Sequence, residues 1–247
     1  MAAPGERPPL IVANHGGSAG ATTPALNLST QFWTSCGFAL VDEDYGGSAG
    51  YGRAYRQRLN GQWGVVSLAD YANAARYLVD RDEVDGRRIA IYGGSTGGYT
   101  ALCALVFSNL FAACAAHYGI ADLEIWAMET YKFEAHMADI LVSPYPDTRD
   151  RYRACSPIHF VDHAPYPAII LQGLEDRICP ASQAESMVAA LRAKSVPVAY
   201  VPFAGEQHGY RRAENIQRAL DAELYFYGRI FRFQPADPVE PVIIENL

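Results

Sequence analysis

Arg88-Ile89-Ala90-Ile91-Tyr92-Gly93-Gly94-Ser95-Thr96-Gly97-Gly98-Tyr99-Thr100-Ala101-Leu102-Cys103-Ala104-Leu105 is the stretch on which the fold turns. Its first five residues form a short apolar run, as a strand covered on both faces requires. From Gly97 onward the composition suits a helix. Between the two lies Gly93-Gly94-Ser95-Thr96-Gly97, a G-x-S-x-G pattern. A serine on a tight strand-to-helix turn is a nucleophile elbow. Its glycines are needed because the turn is crowded and the helix must pack close to the strand. The helix N-terminus places N–H groups and a positive dipole end beside the serine.

The pattern alone is weak evidence, because it occurs three times. Gly16-Gly17-Ser18-Ala19-Gly20 and Gly46-Gly47-Ser48-Ala49-Gly50 also match. Ser18 is followed by a loop, Ala21–Pro24, and Ser48 by another, Tyr51-Gly52-Arg53. Both therefore read as glycine-rich turns, and Ser95 is the expected nucleophile.

Outward from Ser95, short apolar runs alternate with helical patterns. Strands are expected at Leu10–Ala13, Phe38–Asp42, Arg88–Tyr92, Ala112–His117, Ala168–Gln172 and Val198–Val201. Helices are expected at Pro24–Ser35, Ser67–Asp80, Gly97–Ser108, Pro180–Lys194 and Ala213–Tyr227, with Pro180 at a helix start. This βαβ rhythm predicts an α/β fold with a mostly parallel central sheet flanked by helices. Asp122–Pro167 breaks the rhythm and reads as an insertion, part helix and part loop. The tail Gln234–Leu247, with prolines at 235, 238 and 241, is expected to pack along the surface. No repeat, linker or low-complexity run appears, so residues 1–247 read as one domain.

The bulk properties narrow the function. The chain has 247 residues, half of them hydrophobic, and a net charge of −7 with the two signs interspersed. No basic block appears, which disfavours nucleic-acid and anionic-membrane partners. Five cysteines, at 36, 103, 114, 155 and 179, show neither CxxC pairing nor zinc spacing. The start, Met1 to Arg7, has no apolar leader core, and no run of 18 apolar residues occurs. A cytoplasmic protein without metal or cofactor is expected.

A nucleophilic serine needs a base, and the base needs an orienting carboxylate. In elbow-bearing folds the chain order is serine, acid, histidine. Gly173-Leu174-Glu175-Asp176 follows the strand Ala168–Gln172, which makes Asp176 the expected acid and Glu175 the alternative. One histidine comes later, His208, in Gly205-Glu206-Gln207-His208-Gly209. His117 reads as structural. His159 and His163 have H-x₃-H spacing without further ligands. For the oxyanion the first donor is the Thr96 N–H. The second is open between backbone groups of Asn14-His15-Gly16-Gly17 and the Tyr45 hydroxyl.

Taken together the motifs resemble the catalytic domain of the prolyl oligopeptidase family, in its acylaminoacyl-peptidase and dipeptidyl-peptidase-like branch. The resemblance rests on Asn14-His15-Gly16-Gly17, the segment from Asp44 to Gly52, Leu59-Asn60-Gly61-Gln62-Trp63-Gly64, Gly93–Gly98, Ser156-Pro157, Leu171–Asp176 and Gly205–Gly209. It implies an α/β-hydrolase fold and hydrolysis of short peptides or aminoacyl derivatives through an acyl-enzyme. It implies Ser95, Asp176 and His208 as the triad and Tyr45 as an oxyanion donor. It also implies Cys179 as a residue of the S1 pocket, with Ile120 and Trp126 as further candidates and core packing as the alternative for all three. Departures from the family pattern are Ser18 for proline, Gly46 for arginine, Ser67 for aspartate and Tyr131 for histidine. Members carry an N-terminal β-propeller, for which this chain has no room, and the sheet is expected to lack the first strands. Other readings remain open at this point: an esterase or small-molecule amidase on the same triad, and an inactive fragment that binds or assembles. Homo-oligomerisation and association with a separate propeller are the expected protein contacts.

Overall fold

A computed structural model gives the structure of the chain and describes residues 5–247. The first four residues, part of the start read for a leader, lie outside the described residues. Six strands form one parallel sheet: β1 (Leu10–Asn14), β2 (Ala39–Asp42), β3 (Ile89–Gly94), β4 (Ala113–His117), β5 (Ala168–Gly173) and β6 (Val198–Phe203), in the order β2-β1-β3-β4-β5-β6. The helices are α1 (Leu28–Ser35), α2 (Arg53–Arg56), α3 (Val66–Asp80), α4 (Thr96–Phe107), α5 (Leu123–Glu129), α6 (Met137–Leu141), α7 (Arg149–Cys155), α8 (Ala181–Ala193) and α9 (Ala213–Phe231). Every strand and long helix expected from the sequence is present. Helix α1 starts at Leu28 rather than Pro24, because the Asn27 side chain accepts the N–H groups of Ser29 and Thr30 and caps it there. Pro180 sits one position before α8, in extended geometry.

Period-two alternation sorts the strand side chains into two cores. Leu10, Val12, Ile89, Ile91, Cys114, Ala116, Ile170 and Val198 face the layer built by α3, α4 and α8. Ile11, Ala90, Ala113, Ala115, Ile169, Leu171, Ala199 and Val201 face α1 and α9. Both faces of the sheet are thereby dry, which is why its strands read as continuous apolar runs. Helix α4 is buried along nearly its whole length, from Thr96 to Val106. It lies between the sheet and the insertion, whose 3₁₀ segment Pro157–His163 packs on it. The insertion consists of α5, α6, α7 and that 3₁₀ segment. The tail meets the β6 edge, where Val198 and Glu245 exchange backbone hydrogen bonds and Arg192 grips Glu245 with two. That contact covers part of an otherwise open strand. No helix among the described residues is long and apolar enough to cross a membrane.

The turn that carries Ser95 is held by backbone contact. Ser95 adopts φ 57° and ψ −119°, a strained conformation for a side-chain-bearing residue. Its N–H donates to the His117 carbonyl at 3.0 Å and its carbonyl accepts the Tyr99 N–H at 2.9 Å. A Cβ on Gly97 would lie 2.4 Å from the Asn14 carbonyl oxygen, and one on Gly93 would lie 2.5 Å from the Gly97 backbone. Strand β1, strand β3 and the first turn of α4 therefore meet with no room for a methyl group.

Two consequences can be measured. Gly97→Ala must push α4 off the end of β1, and a loss of at least about 3 kcal/mol in urea unfolding is expected, because neither backbone can yield. The loop after β2 supplies the second. Burial, then Asp70 and Asp44, raise the Glu43 carboxyl from 4.5 to about 7. The folded chain thus binds a proton there that the unfolded chain has released, and stability falls as pH rises from about 4.5 to 7. Full burial would make this roughly 3 kcal/mol. Glu43 is partly solvated, so Glu43→Gln is expected to stabilise by about 1 kcal/mol at pH 8 and by close to nothing at pH 4.

Candidate active site

The loops at the carboxyl ends of β1, β3, β5 and β6 converge, as ligand-binding loops do in open parallel sheets. Ser95 stands between β3 and α4. Asp176 follows β5, and His208 follows β6. Because β5 and β6 pair along their whole length, the two loops leave the sheet side by side. The Leu174 N–H donates to the Phe203 carbonyl and the Glu175 N–H to the Glu206 carbonyl. A Cβ on Gly173 would sit 2.3 Å from the Gln207 carbonyl oxygen, so the residue that precedes the acid loop must be bare.

The three side chains form one hydrogen-bonded line. His208 Nε2 is 2.8 Å from Ser95 Oγ, and His208 Nδ1 is 2.7 Å from Asp176 Oδ2. Asp176 is buried, and its other oxygen accepts the N–H groups of Ile178 at 2.8 Å and Cys179 at 2.9 Å. These bonds fix the carboxylate and leave Oδ2 for the imidazole. Glu175 is exposed and takes no part. The His208 loop is pinned by a residue the sequence reading used only as part of a motif. Buried Glu206 accepts from Asn215 Nδ2 at 2.8 Å and from the Arg211 and Arg212 N–H groups, each at 3.0 Å. Burial opposes ionisation there, but those donors outweigh it and hold the Glu206 carboxyl below its usual range.

The other two glycine–serine turns serve the scaffold. The Ser18 hydroxyl points to the Met137 sulfur, 3.5 Å away. Ser48 is fully buried, with Oγ 2.8 Å from His15 Nε2. That pair lacks a carboxylate on the second ring nitrogen, which instead lies 3.2 Å from the Gly16 carbonyl. The two turns brace each other through the Ala49 N–H and the Gly20 carbonyl.

The structure places Tyr45, expected from the resemblance as an oxyanion donor, on the loop after β2. Its hydroxyl donates to the Ser18 carbonyl at 3.1 Å, its buried ring stacks on His15 at 4.5 Å, and it does not line the cavity at Ser95. Gly16 and Gly17 do line that cavity, and a Cβ on Gly16 would be 3.9 Å from Ser95 Cβ. Thr96 opens α4, so its N–H has no acceptor within the helix. Ile120, Trp126 and Cys179 are each buried almost completely and do not line the cavity. Trp126 donates to the Ile178 carbonyl at 2.9 Å and packs edge-on to Trp63. The Cys179 thiol faces Ser95 and Trp126, and burial pushes its pKa well above the ordinary value. All three belong to the core cluster on the α4 side of the sheet. His117 is a core residue paired with Glu223 at 2.8 Å, and His159 faces Asp122 at 3.6 Å.

The cavity at Ser95 and His208 measures about 560 Å³. Among the further lining residues are Tyr118 and Glu134. Tyr118, at φ 37°, sets its ring edge-on to His208 with centroids 4.8 Å apart. Glu134 turns inward from the insertion. The signal for Tyr118 was its place directly after β4. Nothing local marks Glu134, because its approach depends on how the insertion folds back. A cavity of about 610 Å³ lies elsewhere, beside Phe38, Arg88 and Phe233, but no histidine lines it.

The model of the prolyl oligopeptidase family matches residues 24–234. Among solved structures, a puromycin-hydrolyzing peptidase of Mycobacterium tuberculosis superposes with a TM-score of 0.96 and is 42% identical over 98% of this chain and 37% of its own. The chain is 28% identical to dipeptidyl peptidase family member 6 of Caenorhabditis elegans, over 83% of this chain and 29% of that protein. It is 29% identical to dipeptidyl aminopeptidase BIII of Pseudoxanthomonas mexicana, over 84% and 31%. The chain therefore spans about a third of the length of the proteins it matches. With an elbow serine, an ordered histidine and acid, and a family match across most of its length, this chain belongs to the prolyl oligopeptidase family.

Proposed function

We propose that this chain is a serine peptidase domain that cleaves amide bonds of short peptides or aminoacyl derivatives through an acyl-enzyme. The observation that carries the reading is the unbroken line from Ser95 Oγ through His208 to Asp176, with contacts of 2.8 and 2.7 Å. His208 Nε2 takes the Ser95 proton as Oγ adds to the carbonyl carbon, and Asp176 holds the imidazole in the tautomer that leaves Nε2 free to accept it. The Thr96 N–H and a backbone N–H of Gly16 or Gly17 receive the developing oxyanion. The imidazolium then protonates the departing amine. Water attacks the acyl-enzyme with His208 again as base, and Ser95 is regenerated. Family membership and the likeness to a puromycin-hydrolyzing peptidase support amide over ester chemistry. The same triad would also turn over activated esters, so the choice between them rests on relative rates.

A fluorophosphonate probe is expected to label the folded chain at Ser95 and to leave Ser95→Ala unlabelled; a folded wild-type chain that stays unlabelled would reject the reading. Turnover of p-nitrophenyl esters without any of aminoacyl anilides would assign the chain to the esterases. Asp176→Asn is expected to keep the fold and lower kcat by about 10⁴, because the wrong imidazole tautomer faces Ser95. The ratio of initial rates at saturating substrate measures this.

A further inference from the structure

We propose that Glu134 is the receptor for a substrate ammonium group, so that this site prefers substrates with a free amine over their N-acylated counterparts. The inference rests on the peptidase reading above. Along the exposed segment Tyr131–His136, Glu134 alone is partly buried, and it lines the cavity that holds Ser95 and His208. Among the described residues its carboxylate has neither an ion pair nor a hydrogen bond. It is thus a half-desolvated acid without a counter-ion, beside the reacting serine.

The charge around it has one sign. Asp42 lies at the cavity rim, and neither lysine nor arginine lines the cavity. A substrate carboxylate would meet repulsion there, whereas a primary ammonium would find an acceptor. Burial raises the Glu134 carboxyl, with a lowering influence from His208 and a raising one from Asp176. A bound cation would reverse that cost of ionisation. No hydrogen bond or ion pair among the described residues holds the Glu134 carboxylate, and an ammonium group would supply the missing partner.

The role is one of recognition, which separates it from support of the triad. An ammonium contact present in both the bound state and the transition state acts on KM, whereas disturbance of His208 would lower kcat for every substrate alike. The test compares leucine p-nitroanilide with N-acetylleucine p-nitroanilide on the full chain. The wild type is expected to favour the free amine, and Glu134→Gln to reduce the ratio of the two kcat/KM values at least 10-fold, chiefly through KM. Glu134→Asp should restore part of the ratio. A ratio unchanged in Glu134→Gln, an equal loss in kcat for both substrates, or a wild-type preference for the acetylated substrate would overturn the proposal.

A binding measurement covers slow turnover. Leucinamide should slow fluorophosphonate labelling of Ser95 at concentrations at least 10-fold below those N-acetylleucinamide needs, and Glu134→Gln should erase that difference. Equal protection by both amides in the wild type would also overturn it. Failure of the probe to label Ser95 would instead remove the peptidase reading, and this inference with it, so the two failures are distinct.

Discussion

The carbonyl of Asn14 at the end of β1 lies so close to the first turn of α4 that a single methyl group on Gly97 would approach it to 2.4 Å. This contact joins strand β1 to the helix that follows Ser95, and the candidate site is arranged around it. It seats α4 on the sheet, so that the helix N-terminus opens onto the same cavity as Gly16 and Gly17. It also confines Ser95 to a strained backbone conformation from which Oγ faces His208. The strain, of order 1–3 kcal/mol, is offset by the dry packing of α4, almost all of which is buried.

The rest of the triad follows from sheet pairing. Strands β5 and β6 are neighbours in register, so the loops that follow them emerge together, and short backbone bonds keep them so. Asp176 is oriented by two N–H groups and His208 by the loop that Glu206 organises. Both supports act on loops rather than on reacting atoms, and both use a buried carboxylate with its hydrogen bonds filled. Glu134 is the contrast. It is only half shielded from water, yet among the described residues nothing fills its bonds, and it lines the cavity at Ser95. Whether a carboxylate is satisfied from within separates framework from recognition here.

The two remaining glycine–serine turns illustrate the limits of pattern. All three have the same spacing, and each places a serine on a crowded turn. Ser48 even has a histidine at 2.8 Å. It is fully buried, however, and the opposite nitrogen of its histidine meets a backbone carbonyl rather than a carboxylate, so a substrate has no access to it. Tyr45, a residue carried over by resemblance, is held by its neighbours. With Gly46 beside it, its ring stacks on His15, and its hydroxyl is taken by the Ser18 carbonyl.

Much of this protein was legible in its residues because the relevant forces are local or periodic. Apolar runs covered on both faces gave the strands, a strand directly before a glycine-flanked serine and a helix directly after it gave the elbow, and chain order left a single histidine behind the acid. These depend on backbone sterics and the hydrophobic period, which a linear sequence carries. What the tertiary structure decided depends on distant segments meeting. The Tyr45 hydroxyl was captured by a loop 27 residues away. Trp126 and Cys179 became buried in one core cluster. Tyr118 and Glu134 reached the cavity through the ends of β4 and the folded-back insertion. No local spacing records such encounters, since they are set by how the layers stack once the sheet has formed.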